Sequence, residues 1–576
     1  MIWKQNREIT SEYIEELARE FETNELLVRI LLNRKNDKEF ARIALRDLYE
    51  AIIPAERLVN GQAVADVIAR HIRNGSKIYI HADYDADGLN SGFIMYETIK
   101  EVIEVAQSNA YVEVYFPERI NGYGLSFDFA NNLIQTKGDE DILVITVDNG
   151  IAQVEQVELL MNNGIEVVVT DHHMSKEDGI PNCLICDPHN EYIEQDDTFK
   201  HLCGAGVAFK VCELLQKNFG YHDMYRFVTN VAIATITDVM PLNAENMAFV
   251  RYGLDIINSE YCPVGIKAMK EFLGITVMNS ANIAWEIGPR LNACGRMNNT
   301  KIGGALLMET DYHMAVDLVN EIELINESRK EKTKEAEEQL SSMNFDNDYV
   351  CIIKLEELPE GIVGIIAGRA AERLGKPSIV VTESEDGICK GSARSIPGLD
   401  LHYLFNIEVS KGNIENFGGH SEAAGISFRE DKLEELKASL NESIQNLALS
   451  QQHDLSVVEE EPVLMIDECI EIKHLNQNTF NLINELPYDK DTFAKPVFAL
   501  VDCEVKDFVP TKTKPENLWL TVKQGKQTVK LWCQGMTEVY KSKGCPKVIH
   551  LAGYIEKNFM SGRPYILKVI DIADAS

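Results

Sequence analysis

Between His81 and Asp87 the chain sets one imidazole and three carboxylates at alternate positions, within Lys77-Ile-Tyr-Ile-His-Ala-Asp-Tyr-Asp-Ala-Asp-Gly-Leu89. Left bare, Asp83, Asp85 and Asp87 would repel one another, so the pattern asks for a positive partner, and a divalent metal is the simplest. A solvated acidic turn would account for one such run alone. An EF-hand loop would also begin with Asp83-x-Asp85-x-Asp87-Gly88, but it requires Glu at its twelfth position, where Ile94 stands. What favours chemistry is that strands ending in acids recur. Ile142-Leu-Val-Ile-Thr-Val-Asp-Asn-Gly150 delivers Asp148, and Ile165-Glu-Val-Val-Val-Thr-Asp-His-His173 delivers Asp171, His172 and His173. A fourth segment, Val231 to Leu242, carries Asp238 in a small-residue apolar run that reads as strand or helix.

Hard carboxylates with a few imidazoles suit Mn²⁺ well and Mg²⁺ acceptably, whereas a structural zinc site would more often use thiolates. So many acids point to two ions roughly 3.5–4 Å apart, with Asp148 a candidate bridge, and to hydrolysis of a phosphodiester or phosphoanhydride. Farther along, Gly391-Ser-Ala-Arg-Ser395 offers backbone N–H groups, hydroxyls and the Arg394 guanidinium to a phosphate, and Gly418-Gly-His420 permits close backbone approach beside an imidazole.

These residues need a scaffold that brings strand ends together. β-Branched runs separated by helical lengths from 76 to about 260 predict a parallel sheet buried on both faces, whose ligands collect beyond the carboxyl ends of its strands. Residues 1–75 read as a helical layer, with Thr10 or Ser11 as a first N-cap. A long helix over about 313–343, apolar at helical spacing and then densely charged, suits a bridge between two domains. A second α/β unit spans 347–450, followed by a polar linker from Leu449 to Glu461. Short alternating runs from Phe498 onward predict a small barrel. There Lys and Arg outnumber Asp and Glu by four, with Trp519, Trp532 and Tyr554 interleaved. Such a composition suits single-stranded nucleic acid, although the aromatics would equally serve as barrel core.

The 576 residues are too many for one core, and 45% hydrophobic with 26% charged content describes an ordinary globular chain. No apolar run approaches the roughly 18 residues that cross a bilayer, and the opening residues lack a signal-peptide pattern, so a cytoplasmic protein without a membrane is expected. The 12 Cys include one CxxC, Cys183-Leu-Ile-Cys186, with no second pair at zinc-ribbon spacing, and buried reduced thiols are expected there. A net charge of −35 argues against bulk adsorption to nucleic acid but leaves room for a local basic groove, since screening acts beyond about 8–10 Å.

The order Asp83-Tyr-Asp-Ala-Asp-Gly88, Val147-Asp-Asn-Gly150, Asp171-His-His173 and Thr237-Asp-Val-Met-Pro-Leu242 resembles the DHH phosphoesterase superfamily. Gly391-Ser-Ala-Arg-Ser395 and Gly418-Gly-His420 look like its associated DHHA1 domain. Pro117-Glu-Arg-Ile-Asn-Gly-Tyr-Gly-Leu125, Leu202-Cys-Gly-Ala-Gly-Val-Ala-Phe209 and Gly288-Pro-Arg-Leu-Asn-Ala-Cys-Gly-Arg296 are similar to the single-strand-specific RecJ family within it. The expected fold is therefore α/β: a parallel-sheet DHH domain (76–312) and a smaller DHHA1-like domain (347–450) joined by a long helix (313–346), with an OB-like β-barrel after a linker (451–576). The resemblance implies 5′→3′ removal of nucleotides from single-stranded DNA with Mn²⁺ or Mg²⁺, in repair or recombination. It implies metal roles for Asp85, Asp87, Asp148, His172, His173 and Asp238, with His81, Asp83 and Asp171 as further candidates. Phosphates would fall to Arg119, Arg296, Ser392, Arg394 and His420, and a base to Tyr123. A single-strand-binding protein or helicase would be a fitting partner. Two other readings share the fold: a phosphodiesterase for short oligonucleotides or cyclic dinucleotides, and a non-catalytic DNA-binding scaffold.

Overall fold

The computed structural model describes residues 2–5, 9–35, 37–45, 48–175, 179–345, 348–356, 358–383, 387–451, 463–489, 493–558 and 563–574. A short strand β1 (Ile2–Gln5) precedes the helical layer, in which the Thr10 hydroxyl accepts from Tyr13 N and caps the helix Ser11–Glu20. The layer ends in a helix Gly61–Asn74, stopped by Gly75 at φ 77°.

The apolar runs then form β2 (Lys77–His81), β3 (Tyr111–Tyr115), β4 (Ile142–Val147), β5 (Glu166–Thr170) and β6 (Leu184–Cys186). All pair in parallel, in the order β3-β2-β4-β5-β6. β4 is buried at every position, as a central strand covered on both faces must be. Because β2 connects first to one neighbour and the chain then returns to its other side, the strand order reverses between β2 and β4. The acids follow these two strands, at the switch point where such sheets open a crevice. The CxxC lies at β6, with Cys186 buried and both thiols free.

The segment around Asp238 is helix, Val228–Thr237, with Asp238 as its C-cap. The bridging helix runs unbroken from Tyr312 to Ser341. Beyond it β7 (Cys351–Lys354), β8 (Ser378–Glu383), β9 (Ile388–Arg394), β10 (Asn416–Gly419) and β11 (Ala423–Arg429) form a sheet in the order β10-β11-β9-β8-β7. This corrects one expectation: Gly391 to Arg394 is a strand flanked on both sides, by β8 and β11. Its backbone amides belong to the sheet ladder, so only the Ser392 and Arg394 side chains remain for a ligand.

Most of the expected linker, 452–461, lies outside the described residues. After it come β12 (Val463–Ile466) and β13 (Glu468–Ile470), and β14 (Phe498–Pro510), β15 (Leu518–Gln524), β16 (Gln527–Cys533), β17 (Val548–Lys557) and β18 (Tyr565–Asp574) close into a barrel through β14–β17 pairing. Trp519 lies between buried Leu518 and Leu520, and Trp532 between buried Leu531 and Cys533. Strand alternation therefore turns both indoles to the outer face, where their rings meet edge to face at 4.9 Å. They are not barrel core. Tyr554 is also outside, beneath Trp3 and Leu464 of the parallel β1–β12 pair. Arg34 grips buried Asp467 through two 2.7 Å bonds, so the helical layer holds the barrel's entry.

Candidate metal centre

Each acid reaches the crevice through local backbone chemistry. Asp85 is the N-cap of the helix Ala86–Val105, accepting from Asp87 N at 2.9 Å and Gly88 N at 3.1 Å. Asp87 is gripped by the first amides of the helix Gly204–Asn218, Gly204 N at 2.7 Å and Ala205 N at 2.8 Å. Only glycine fits at 204, because a Cβ there would stand 2.6 Å from Asp148 Cβ and Oδ1. Asp148 itself has φ 60°, a left-handed conformation that costs a non-glycine residue energy and that marks functional positions. Asn149 donates to the carbonyls of His81 (3.1 Å) and Val147 (2.9 Å), tying the ends of β2 and β4 together.

The side chains converge. Asp83, Asp85 and Asp148 form one group with ligand atoms within 4.8 Å of one another; Asp87, His172 and Asp238 form a second, and Asp148, His172 and His173 a third. Asp148 and His172 thus each belong to two groups. His172 Nε2 lies 3.1 Å from Asp148 Oδ1, 3.6 Å from Asp87 Oδ2 and 3.7 Å from Asp238 Oδ2. Yet His172 Nε2 and Asp148 Oδ1 are buried without a properly aligned hydrogen bond, as is Asp83 Oδ1. Unpartnered buried donors and acceptors aimed at common points fit divalent cations coordinated by oxygen and imidazole nitrogen.

The electrostatics agree. Burial, then neighbouring carboxylates, raise Asp83, Asp148 and Asp238 well above the usual range; burial and then Asp85 push Asp87 up to about 7. Burial drives His172 down to about 3. Against burial, the hydrogen bond and charge of Asp171 hold His173 up at about 10. Asp171 accepts from Ile151 N, His172 N and His173 N as well as from His173 Nδ1, so it orients the His173 ring and fixes the backbone that carries both imidazoles.

These values carry a sign. A carboxyl raised from 3.8 to about 7 and an imidazole raised from 6.5 to about 10 each contribute stability to the metal-free fold at low pH that is lost as pH rises through the folded values. A bound cation removes that loss and displaces the protons. The Tm gain on adding Mn²⁺ is therefore expected to be larger at pH 8 than at pH 6, with proton release measurable by calorimetry in buffers of different ionisation enthalpy. An equal gain at both pH values would contradict this account.

Other expected residues fall around this centre. His81 is not in the three groups: its ring is fully buried against Tyr115 and Phe129, and burial lowers it to about 4. Arg119 stacks 4.0 Å over the Tyr84 ring, and Tyr123 stands edge-on between Tyr84 and His173. Arg296 donates to Gly361 O at 2.8 Å, where the helix Glu360–Leu374 approaches so closely that a Cβ at 361 would meet Arg296 O at 2.3 Å. One turn on, Gly364 lies against Ser392 Oγ and Arg394 Nη2, and Arg394 Nη1 donates to Ser392 Oγ at 2.8 Å. His420 is exposed at the same sheet end, since Ala423, which pairs with Arg394, accepts from its N–H. Sequence reasoning missed the Gly204 and Ala205 amides as the anchors of Asp87, and missed Asp187. Buried Asp187 accepts from His189 N at 2.7 Å, and His189 Nδ1 bonds the His172 carbonyl. The signal for the first was the glycine-rich helix start; nothing in sequence marks the second.

Comparison with known proteins places this geometry. The DHH family, N-terminal domain, matches residues 77–236, and the DHHA1 domain matches 347–446. The single-stranded-DNA-specific exonuclease RecJ of Haemophilus influenzae is 31% identical over 490 residues, covering 81% of this chain and 80% of that protein. RecJ of Bacillus subtilis is 30% identical over 487 residues, covering 82% of this chain but 59% of its own length, so the chain matches less than two thirds of that relative. The crystal structure of RecJ in complex with Mn²⁺ from Thermus thermophilus shares the fold over 100% of this chain and 79% of its own, with TM-score 0.75 at 22% identity. With both domains matched in order and a relative matched over four fifths of both lengths, the chain belongs to the RecJ family of DHH/DHHA1 proteins.

Proposed function

We propose that this chain is a metal-dependent exonuclease that hydrolyses the phosphodiester bonds of single-stranded DNA in the 5′→3′ direction. The observation that carries the reading is the convergence of seven acids and imidazoles at one crevice, with Arg296 near enough to feel the Asp85 charge and bonded to the helix whose next turn lies against Ser392 and Arg394. Asp85, Asp87, Asp148, His172, His173 and Asp238, with Asp83, would hold two Mn²⁺ or Mg²⁺ ions. Bound there, the ions supply a nucleophilic water at neutral pH and neutralise charge on the phosphoryl and leaving oxygens. The protein's own residues do the rest. Arg394, Arg296 and Arg119 grip phosphates, Ser392 donates a hydroxyl, His420 approaches from the sheet end, and Tyr123 offers a ring to a base. The outward Trp519–Trp532 pair, with Lys530 5.1 Å over Trp519, suits a strand lying on the barrel. Among the described residues no helix is long and apolar enough to cross a membrane. The setting we assign is cytoplasmic DNA repair or recombination, with a single-strand-binding protein or helicase supplying the strand.

The test is degradation of a long single strand labelled at either end, with Mn²⁺. Mononucleotides released from the 5′ end are expected. Survival of long strands with cleavage of dinucleotides or cyclic dinucleotides would replace this reading with the small-substrate one, and binding without cleavage would leave a scaffold.

A further inference from the structure

The connecting helix carries an arginine, Arg329, with a buried nitrogen that has no hydrogen-bond partner. Arg369 Nη1 bonds Glu337 Oε1 at 2.5 Å, and Arg373 Nη1 bonds Ser341 Oγ at 2.6 Å, so the helices Glu360–Leu374 and Tyr312–Ser341 run side by side in the same direction. Two turns back along both, Gly361 comes level with Arg329. The Arg296–Gly361 bond brings Arg296 to that level too. Arg290 meets Glu323 at 2.6 Å, and six residues farther along each helix the Arg329 charge acts on Arg296, so this pair has the same sense. The three helices therefore meet at Arg296, which lies near enough to the centre to feel the Asp85 charge.

At this junction Arg329 Nε is buried with no hydrogen-bond partner, and the guanidinium makes no ion pair among the described residues. This occurs in a chain of net charge −35, with Glu327 and Glu331 only two residues away on either side. One turn earlier Asn326 is fully buried, with neither amide atom partnered. Burial and the nearby Arg369 and Arg290 lower the Arg329 pKa against the smaller pull of Glu327 and Glu323, and Arg329 is in turn one of the charges acting on Arg296. An arginine whose Nε is buried without a hydrogen-bond partner, beside Arg296 and an unpartnered buried amide, is disposed to receive an anion.

Building on the exonuclease reading, we propose that Arg329 is a further substrate-binding residue, gripping a backbone phosphate of the single strand beside those held by Arg296 and Arg394. It acts as an anchor for the strand and not on the reacting bond. The measurement is the salt dependence of oligo-dT binding, in an Asp148→Asn background that leaves the strand intact. Arg329→Met should lower affinity about tenfold and reduce the slope of log K against log salt by about 0.7, the value for one phosphate contact on a single strand. Arg329→Lys should keep the slope while losing affinity, because it keeps the charge but not the fork. The two single variants without the background change should show an unaltered Tm gain on Mn²⁺. A merely structural arginine would lower Tm without moving the slope; an unchanged slope in Arg329→Met, or in Arg329→Gln should the former not fold, overturns the proposal. Degradation of long strands by the unaltered chain is measured alongside. Failure there would overturn the proposed function, whereas an unchanged slope with degradation intact would overturn only the role of Arg329.

Discussion

Asp148→Asn should abolish strand degradation, by on the order of 10³-fold or more, and at the same time raise the Tm of the metal-free protein. The first half follows from membership in two of the three ligand groups: removing the charge weakens both positions where a cation fits, and electrostatic stabilisation is commonly the largest contribution to such chemistry. The second half follows from cost. Asp148 is buried among Asp87, Asp85 and Asp83, its ionised form is disfavoured first by burial and then by those charges, and its backbone sits at φ 60°. Asparagine removes the charge and tolerates the left-handed region at least as well. Activity and Tm of the same preparation check both halves. A variant that lost activity and also melted earlier without metal would show that the carboxylate stabilises the fold, contrary to this account.

Gly204→Ala should lower kcat by about two orders of magnitude while leaving the domain folded. The added Cβ would fall 2.6 Å from the Asp148 side chain, and the same helix start supplies both amides that hold Asp87. The helix must retreat or Asp148 must turn, and a displacement near 1 Å at reacting groups costs on the order of 10²-fold. Because Gly204 is helical, with no positive φ to relieve, alanine introduces no backbone strain of its own. Far-ultraviolet circular dichroism should be unchanged, and Mn²⁺ affinity should fall. Wild-type kcat in this variant would refute the tight approach.

What the sequence made legible was set by how much of the signal was local. Strands β2, β4 and β5 are apolar runs that end in acids, so fold and chemistry are written in the same few residues. The helix holding Asp238 was ambiguous because Val228 to Ile236 are all buried, leaving no polar face to reveal a helical period, while Val231, Ile233 and Ile236 favour a strand. Gly391 to Ser395 looked like a phosphate loop because glycine and serine usually mark turns; flanking strands distant in sequence make it β9. Arg329 read only as the start of the densely charged half of the connecting helix, since only the meeting of three helices separates it from its neighbours. Asp187 depends on a contact across the sheet end that no spacing encodes.

The pairing of β1 with β12 joins Ile2 to Val463 and Gln5 to Ile466. During synthesis at about 5–20 residues per second, the earlier strand waits on the order of half a minute to a minute and a half for its partner to leave the ribosome. Through that interval Ile2 and Trp3 present an open edge of backbone donors and acceptors, the kind of edge that recruits other chains. Attachment of the barrel is thus a late event in biogenesis, and a nascent chain stalled before residue 463 would carry that unsatisfied edge with it.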